Sequence, residues 1–92
     1  MTQHRYVTSA QKALVMKIQE LAIDVSETSR YDAWVDYYGH CQQLDVRAYP
    51  AGGEKSLWRT TIYLPKAGRP EPDATDELAA ALRRLKDLLE GA

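Results

Sequence analysis

The sequence predicts an α+β domain with the order α-β-β-β-α, in which two helices pack on one face of a three-stranded antiparallel sheet. Apolar residues recur at helical spacing near both ends of the chain, and three runs between residues 31 and 64 alternate as strands do. The 92 residues suffice for one domain, 1–92, with its own core. Because each helix and the sheet have one apolar side, two layers would bury all three.

The first helix is predicted to follow a short, loosely held lead-in at residues 1–7. Thr8 and Gln11 have the spacing of a capping box, and the helix should end near Val25 or Ser26. Its apolar stripe consists of Leu14, Ile18, Leu21, Ala22 and Val25. The stripe is wider than one sheet face needs, which fits either a wrapped core helix or a partner contact; the widening residues are Val15, Met16 and Ile23.

The first two strands are predicted to form a tight hairpin. Residues 31–38 alternate in type, and Gly39-His40 suits a two-residue type II′ turn because glycine accepts a positive φ. The pairs that this turn implies are Tyr38–Cys41, Val35–Leu44, Ala33–Val46, Tyr31–Ala48 and Asp32–Arg47. In this register the apolar positions of the two strands share one face.

The third strand is predicted at residues 57–64, after a turn-rich connection at residues 50–56. Two registers keep its faces aligned with the second strand. One sets Arg47 directly against Arg59, and the other sets Asp45 against Arg59. The second is preferred because opposite charges facing each other stabilise a strand pair by about 0.2–1 kcal/mol.

A proline-rich loop at residues 65–72 should lead into the second helix, for which Asp73 is a suitable N-cap. Gly91 ends this helix as a C′ residue would. Its apolar stripe consists of Leu78, Leu82, Leu85 and Leu89. The spacing also fits a coiled coil, but about two heptads are present, so contact with the core is favoured.

The two faces of the sheet are expected to differ in chemistry. The helices should cover Ala33, Val35, Leu44, Val46, Ala48, Trp58, Ile62 and Leu64. The other face should carry Asp32, Trp34, Asp36, Tyr38, Asp45, Arg47, Tyr49, Arg59 and Tyr63. We refer to this second set as the open face. Tyr, Trp and Arg are enriched at interface hot spots, so the open face is the candidate functional surface.

Composition excludes several functions. The 12 basic and 13 acidic residues nearly cancel, so no single-sign field favours nucleic acid or an anionic membrane. A single cysteine, Cys41, precludes an internal disulfide, and no apolar run is long enough to span a bilayer. Since the N-terminus also lacks the apolar core of a signal peptide, the expected location is the cytoplasm.

No pattern in the chain predicts catalysis, a metal or a cofactor. His40 and Cys41 are adjacent, but neighbours in a turn and strand point in different directions, whereas a base must reach its nucleophile. The histidines and the cysteine lack the paired spacing of a zinc site. Asp36 and Asp45 have arginines as expected neighbours rather than a pocket. The chain is therefore predicted not to be an enzyme.

The predicted function is binding of another protein through the open face, with a second copy of the chain as one candidate partner. The predicted partner-binding residues are Trp34, Asp36, Tyr38, Asp45, Arg47, Tyr49, Arg59 and Tyr63. The alternative is a single-stranded nucleic-acid binder that uses the same rings. The element order also resembles a double-stranded-RNA-binding domain, but such domains begin the last helix with basic residues, and Asp73, Asp76 and Glu77 stand here. A third possibility is that the aromatic and charged side chains only form stabilising cross-strand pairs.

The run Tyr31-Asp-Ala-Trp-Val-Asp-Tyr-Tyr-Gly-His40, in so short a chain, resembles small accessory proteins encoded by phages and prophages. This resemblance implies a non-enzymatic protein that binds a host or phage protein, with inhibition of a host protein as one mode of action. It assigns no functional residue.

Overall fold

The computed structural model describes residues 6–66 and 73–91 and confirms the predicted α+β fold. The elements are α1 (Ser9–Glu27), β1 (Tyr31–Tyr38), β2 (Gln43–Pro50), β3 (Trp58–Tyr63) and α2 (Ala74–Leu89). The three strands form one antiparallel sheet in the order β1-β2-β3. The predictions for residues 1–5 and for most of the proline-rich loop, at residues 67–72, lie outside the described residues.

Both helices pack on one face of the sheet and enclose a single core. The core side chains are Ile18, Leu21, Val25, Leu44, Val46, Ile62, Leu64, Ala74, Leu78, Ala81 and Leu85. Ala33, Val35 and Trp58 are partly buried against this cluster. The expected covered face is therefore the observed one. Val7 also packs against the core, so this residue is not part of a loose lead-in.

The ends of α1 are held by side-chain hydrogen bonds. Thr8 Oγ1 accepts from the Gln11 amide at 3.1 Å, and Gln11 Oε1 accepts from the Thr8 amide at 2.9 Å, so the predicted capping box is present. Gln11 Nε2 donates to Thr75 Oγ1 at 3.1 Å and thereby joins the start of α1 to α2. At the other end, Ser26 Oγ accepts from the Ala33 amide at 3.0 Å. This bond fixes β1 beneath the last turn of α1.

The predicted β1–β2 turn is wrong by two residues. Tyr38 pairs with Gln43, not with Cys41, so residues 39–42 form a four-residue connection. Gln42 has a φ of 50°, in the left-handed region, and its amide donates to the Gly39 carbonyl at 3.4 Å. As a result Val35 pairs with Val46. A two-residue slip preserves the faces because the side-chain period of a strand is two.

The preferred β2–β3 register is also wrong. Arg47 lies opposite Arg59, and Asp45 lies opposite Thr61, which is the alternative that the charge argument disfavoured. The two errors leave the predicted position of β1 relative to β3 correct, because each one displaces β2 by the same two residues. Trp34 and Arg59 therefore share a row across the sheet in the predicted and in the observed arrangement. In the observed one, the residue between them is Arg47.

The second helix begins and ends close to the predicted residues. Asp73 is the residue before its first turn, but its side chain makes no capping hydrogen bond, so the predicted N-cap interaction is absent. Asp76 and Glu77 in the first turn complement the positive helix N-terminus. Gly91 has a φ of 87°, as the predicted C′ glycine requires.

Candidate functional site

The open face combines exposed aromatic rings with charged side chains on all three strands. Trp34 is 51% exposed, Tyr63 is 48% exposed and Tyr38 is 41% exposed. Asp45, on the central strand, is only 2% exposed despite its charge. Alternation along the strands places all eight predicted partner-binding residues on this face.

Four charged residues at the centre of the face, Asp36, Asp45, Arg47 and Arg59, form an ion-pair grid. Like charges face each other across the strands, because Asp36 lies opposite Asp45 and Arg47 lies opposite Arg59. The ion pairs run diagonally. Arg47 Nη2 donates to Asp36 Oδ2 at 3.1 Å, while Arg59 donates to both oxygens of Asp45, from Nε at 3.2 Å and from Nη2 at 2.9 Å. Each carboxylate thus has its own arginine.

The two side chains of the Asp45–Arg59 pair differ strongly in their exposure to solvent. The Asp45 side chain is 2% exposed, whereas that of Arg59 is 57% exposed. The hydrogen bonds and the charge of Asp45 raise the pKa of the Arg59 guanidinium above its ordinary value. A bidentate pair of this geometry satisfies both carboxylate oxygens, which a buried carboxylate requires. Within residues 6–66 and 73–91, two of the five N–H donors of Arg59 are used and three have no acceptor.

Trp34 is held from two sides. The guanidinium carbon of Arg47 lies 5.2 Å from the Trp34 ring centroid, at a distance typical of a cation–π contact. The Tyr49 ring lies 6.5 Å away at an interplanar angle of 68°, in an edge-to-face arrangement. Arg47 Nε is buried and donates to no acceptor within residues 6–66 and 73–91. These contacts fix the orientation of Trp34 while half of its surface stays exposed.

Sequence reasoning missed a groove on the helix side of the sheet. It has a volume of about 470 Å³ and lies beside α1, where its apolar walls include Val15, Met16, Tyr37 and Leu64. Met16 is 72% exposed. The wide apolar sector of α1 was the available signal, but the position of Tyr37 against this helix depends on the fold.

The described residues contain no metal-binding cluster, and Cys41 lies in the β1–β2 connection. The Cys41 thiol lies 3.8 Å from the Tyr38 carbonyl oxygen and 3.7 Å from Gln43 Oε1, within the β1–β2 connection. Across residues 6–66 and 73–91, no three His, Cys, Asp or Glu side chains are grouped so that they could hold a metal ion. Neither of the two described helices has the length and apolarity needed to cross a membrane.

Comparisons with protein-family models, with curated proteins and with solved structures return no match to this chain. The open face is therefore the feature from which a function is inferred.

Proposed function

We propose that this chain is a non-enzymatic protein-interaction module and that the open face is its binding surface. The observation that supports this most directly is the state of Trp34, which is half exposed and yet fixed by Arg47 and Tyr49. A large ring held in one orientation loses little conformational entropy on binding, which favours its use as an anchor. Tyr38 and Tyr63 extend the ring surface along the sheet.

The charges favour a protein partner over nucleic acid. Phosphate binding needs cations that can replace the counterions of the nucleic acid. On the open face the three carboxylates of Asp32, Asp36 and Asp45 outnumber the two arginines, so the face carries no net positive charge. Single-stranded nucleic acid remains the second candidate, because exposed rings such as Trp34 also stack on bases.

The test is capture from a lysate of the source cells with the immobilised protein, with and without nuclease treatment. We expect a captured protein that resists nuclease and is lost with Trp34→Ala or Tyr63→Ala. Met16→Ala is the matched control, since Met16 is a highly exposed apolar residue of the helix layer. Capture that nuclease abolishes would favour nucleic acid, and capture lost with Met16→Ala alone would move the binding surface to α1.

A cytoplasmic location and an origin among phage or prophage accessory proteins remain part of this proposal. Under the same proposal, the partner is a host or phage protein or a second copy of the chain, and inhibition of a host protein is one mode of action.

A further inference from the structure

We propose that a second copy of the chain packs face to face on the open face, related by a twofold axis that runs parallel to β2. This inference deepens the proposed function and rests on it, since it uses the same surface and names its partner. Two sheets packed in this way lie about 10 Å apart with their strands within about 30° of each other. Long side chains such as Trp and Arg can span that distance.

The charges of the open face are distributed unequally across the strands. On β1, Asp32 is exposed and the Asp36 side chain is 39% exposed, whereas β3 contributes the exposed Arg59. The exposed carboxylates of the open face therefore lie on β1, and its exposed guanidinium lies on β3. A twofold axis parallel to β2 places β1 of one copy over β3 of the other, so opposite charges meet. A twofold axis in the plane of the sheet but perpendicular to the strands would instead place β1 over β1 and β3 over β3.

One row across the sheet contains Trp34, Arg47 and Arg59. The two registers place these residues in one line across the sheet. The twofold axis reverses the line, so Arg59 of each copy comes to lie over Trp34 of the other. There the Arg59 guanidinium, with three N–H donors that have no acceptor within the described residues, meets the exposed part of the Trp34 ring. Asp32 and Asp36 lie two residues from Trp34 on either side. Both the cation–π contact and the flanking carboxylates attract the guanidinium.

The two neighbouring rows towards the β1–β2 connection also bring compatible groups together. Asp36 shares its row with Thr61, so the axis places a carboxylate over a hydroxyl that can donate to it. Tyr38 shares its row with Tyr63, so two exposed rings meet. On the axis itself Arg47 and Asp45 each face their own copy. Asp36 and Trp34 bind the Arg47 guanidinium, and the Asp45 carboxylate is 2% exposed and bound by Arg59. The repulsion at the axis is therefore reduced.

The size of the surface predicts a weak dimer. Three strands at about 4.8 Å spacing, each about 20 Å long, give a footprint near 300 Å². Side-chain relief roughly doubles this figure, so the dimer would bury about 1,200 Å² in total, at the lower limit of stable interfaces. We therefore expect dissociation in the micromolar range and a mixture of monomer and dimer in ordinary preparations.

The first measurement is sedimentation equilibrium of the full chain between about 1 µM and 1 mM. The mass should rise from the 10.4 kDa of one chain towards twice that value. Asp32→Lys should raise the dissociation constant at least tenfold, because it places a cation close to Arg59 of the partner copy. Asp87→Lys makes the same charge change on an exposed position of α2 and should leave the dissociation constant within about twofold.

The second measurement tests the direction of the axis. In a Cys41→Ser background, Tyr38→Cys and Tyr63→Cys chains are treated with a short bis-maleimide, separately and as an equal mixture. We expect the mixed 38–63 cross-link to exceed either self-link. A dominant 38–38 link would overturn the proposed arrangement, and so would a dimer whose dissociation constant is unchanged by Asp32→Lys.

A chain that stays monomeric up to 1 mM would refute the second copy as the partner. If Trp34-dependent capture of a different protein persists in that case, the proposed function stands without the dimer. If capture is absent as well, both proposals fail.

Discussion

The Trp34→Ala substitution tests whether Trp34 binds a partner or stabilises the fold. A binding residue should lose mainly free energy of binding, and a structural residue mainly free energy of unfolding. A Trp buries at most about 250 Å² in a folded protein, and Trp34 is 51% exposed, so its buried half is about 125 Å². At about 25 cal/mol per Å², this area corresponds to roughly 3 kcal/mol as a ceiling. Alanine keeps part of the area, and the unfolded chain already buries some of it, so we expect a loss of about 1–2 kcal/mol.

That loss leaves the domain folded. A chain of 92 residues has an expected free energy of unfolding of roughly 5–14 kcal/mol, from about 0.05–0.15 kcal/mol per residue. Loss of an anchoring tryptophan from an interface costs about 2–4 kcal/mol of binding, which corresponds to a roughly 30- to 900-fold rise in the dissociation constant. Binding should therefore suffer more than folding.

Urea unfolding followed by circular dichroism measures the first quantity, and sedimentation of the self-associated chain measures the second. Trp58→Ala is the comparison, since Trp58 packs against the core on the opposite face of the sheet. A Trp34→Ala chain that is unfolded in buffer would place Trp34 among the structural residues. A stable variant with an unchanged dissociation constant would remove it from the interface.

Three further predictions concern the core, the ion-pair grid and the capping box. Val46→Asp buries an unpaired charge at a fully buried position, so the thermal unfolding transition should disappear; a native melting curve would refute the assigned core. Arg59→Ala should lower the midpoint of thermal unfolding more than Asp45→Ala. Arg59→Ala leaves the buried Asp45 carboxylate without its cation, whereas Asp45→Ala leaves an exposed arginine that water can solvate. Equal midpoints for the two variants would contradict this. Thr8→Ala removes one capping bond and should cost about 1 kcal/mol, or roughly 4–8 °C in the midpoint, which calorimetry can measure.

The features that could be predicted from sequence depend on local periodicity. The stripe of α1, the capping box at Thr8 and the division of the sheet into two faces each follow from the spacing of neighbouring residues. The β1–β2 turn could not be predicted in the same way. Gln42 takes a left-handed backbone conformation that glycine usually occupies, and no local signal marks it.

The β2–β3 register was mispredicted because the charge argument considered only directly opposed residues. An arginine side chain is long enough to reach a carboxylate two residues along the neighbouring strand, and Arg59 binds Asp45 in this way. Direct opposition of Arg47 and Arg59 is then tolerated, because each has a diagonal partner. The burial of Asp45 was missed for the same reason, since it depends on side chains that reach it from another strand.

The position of β2 decides whether Trp34 can serve as an anchor. In the predicted register Asp45 would have stood between Trp34 and Arg59, and a carboxylate beside the negative face of an indole ring repels it. The observed two-residue displacement places Arg47 there instead, 5.2 Å from the ring centroid. Arg47 stabilises the orientation of the ring from one side, and Arg59 stays in the same row with its exposed donors. The observed register therefore gives Trp34 a cationic neighbour on β2 in place of an anionic one.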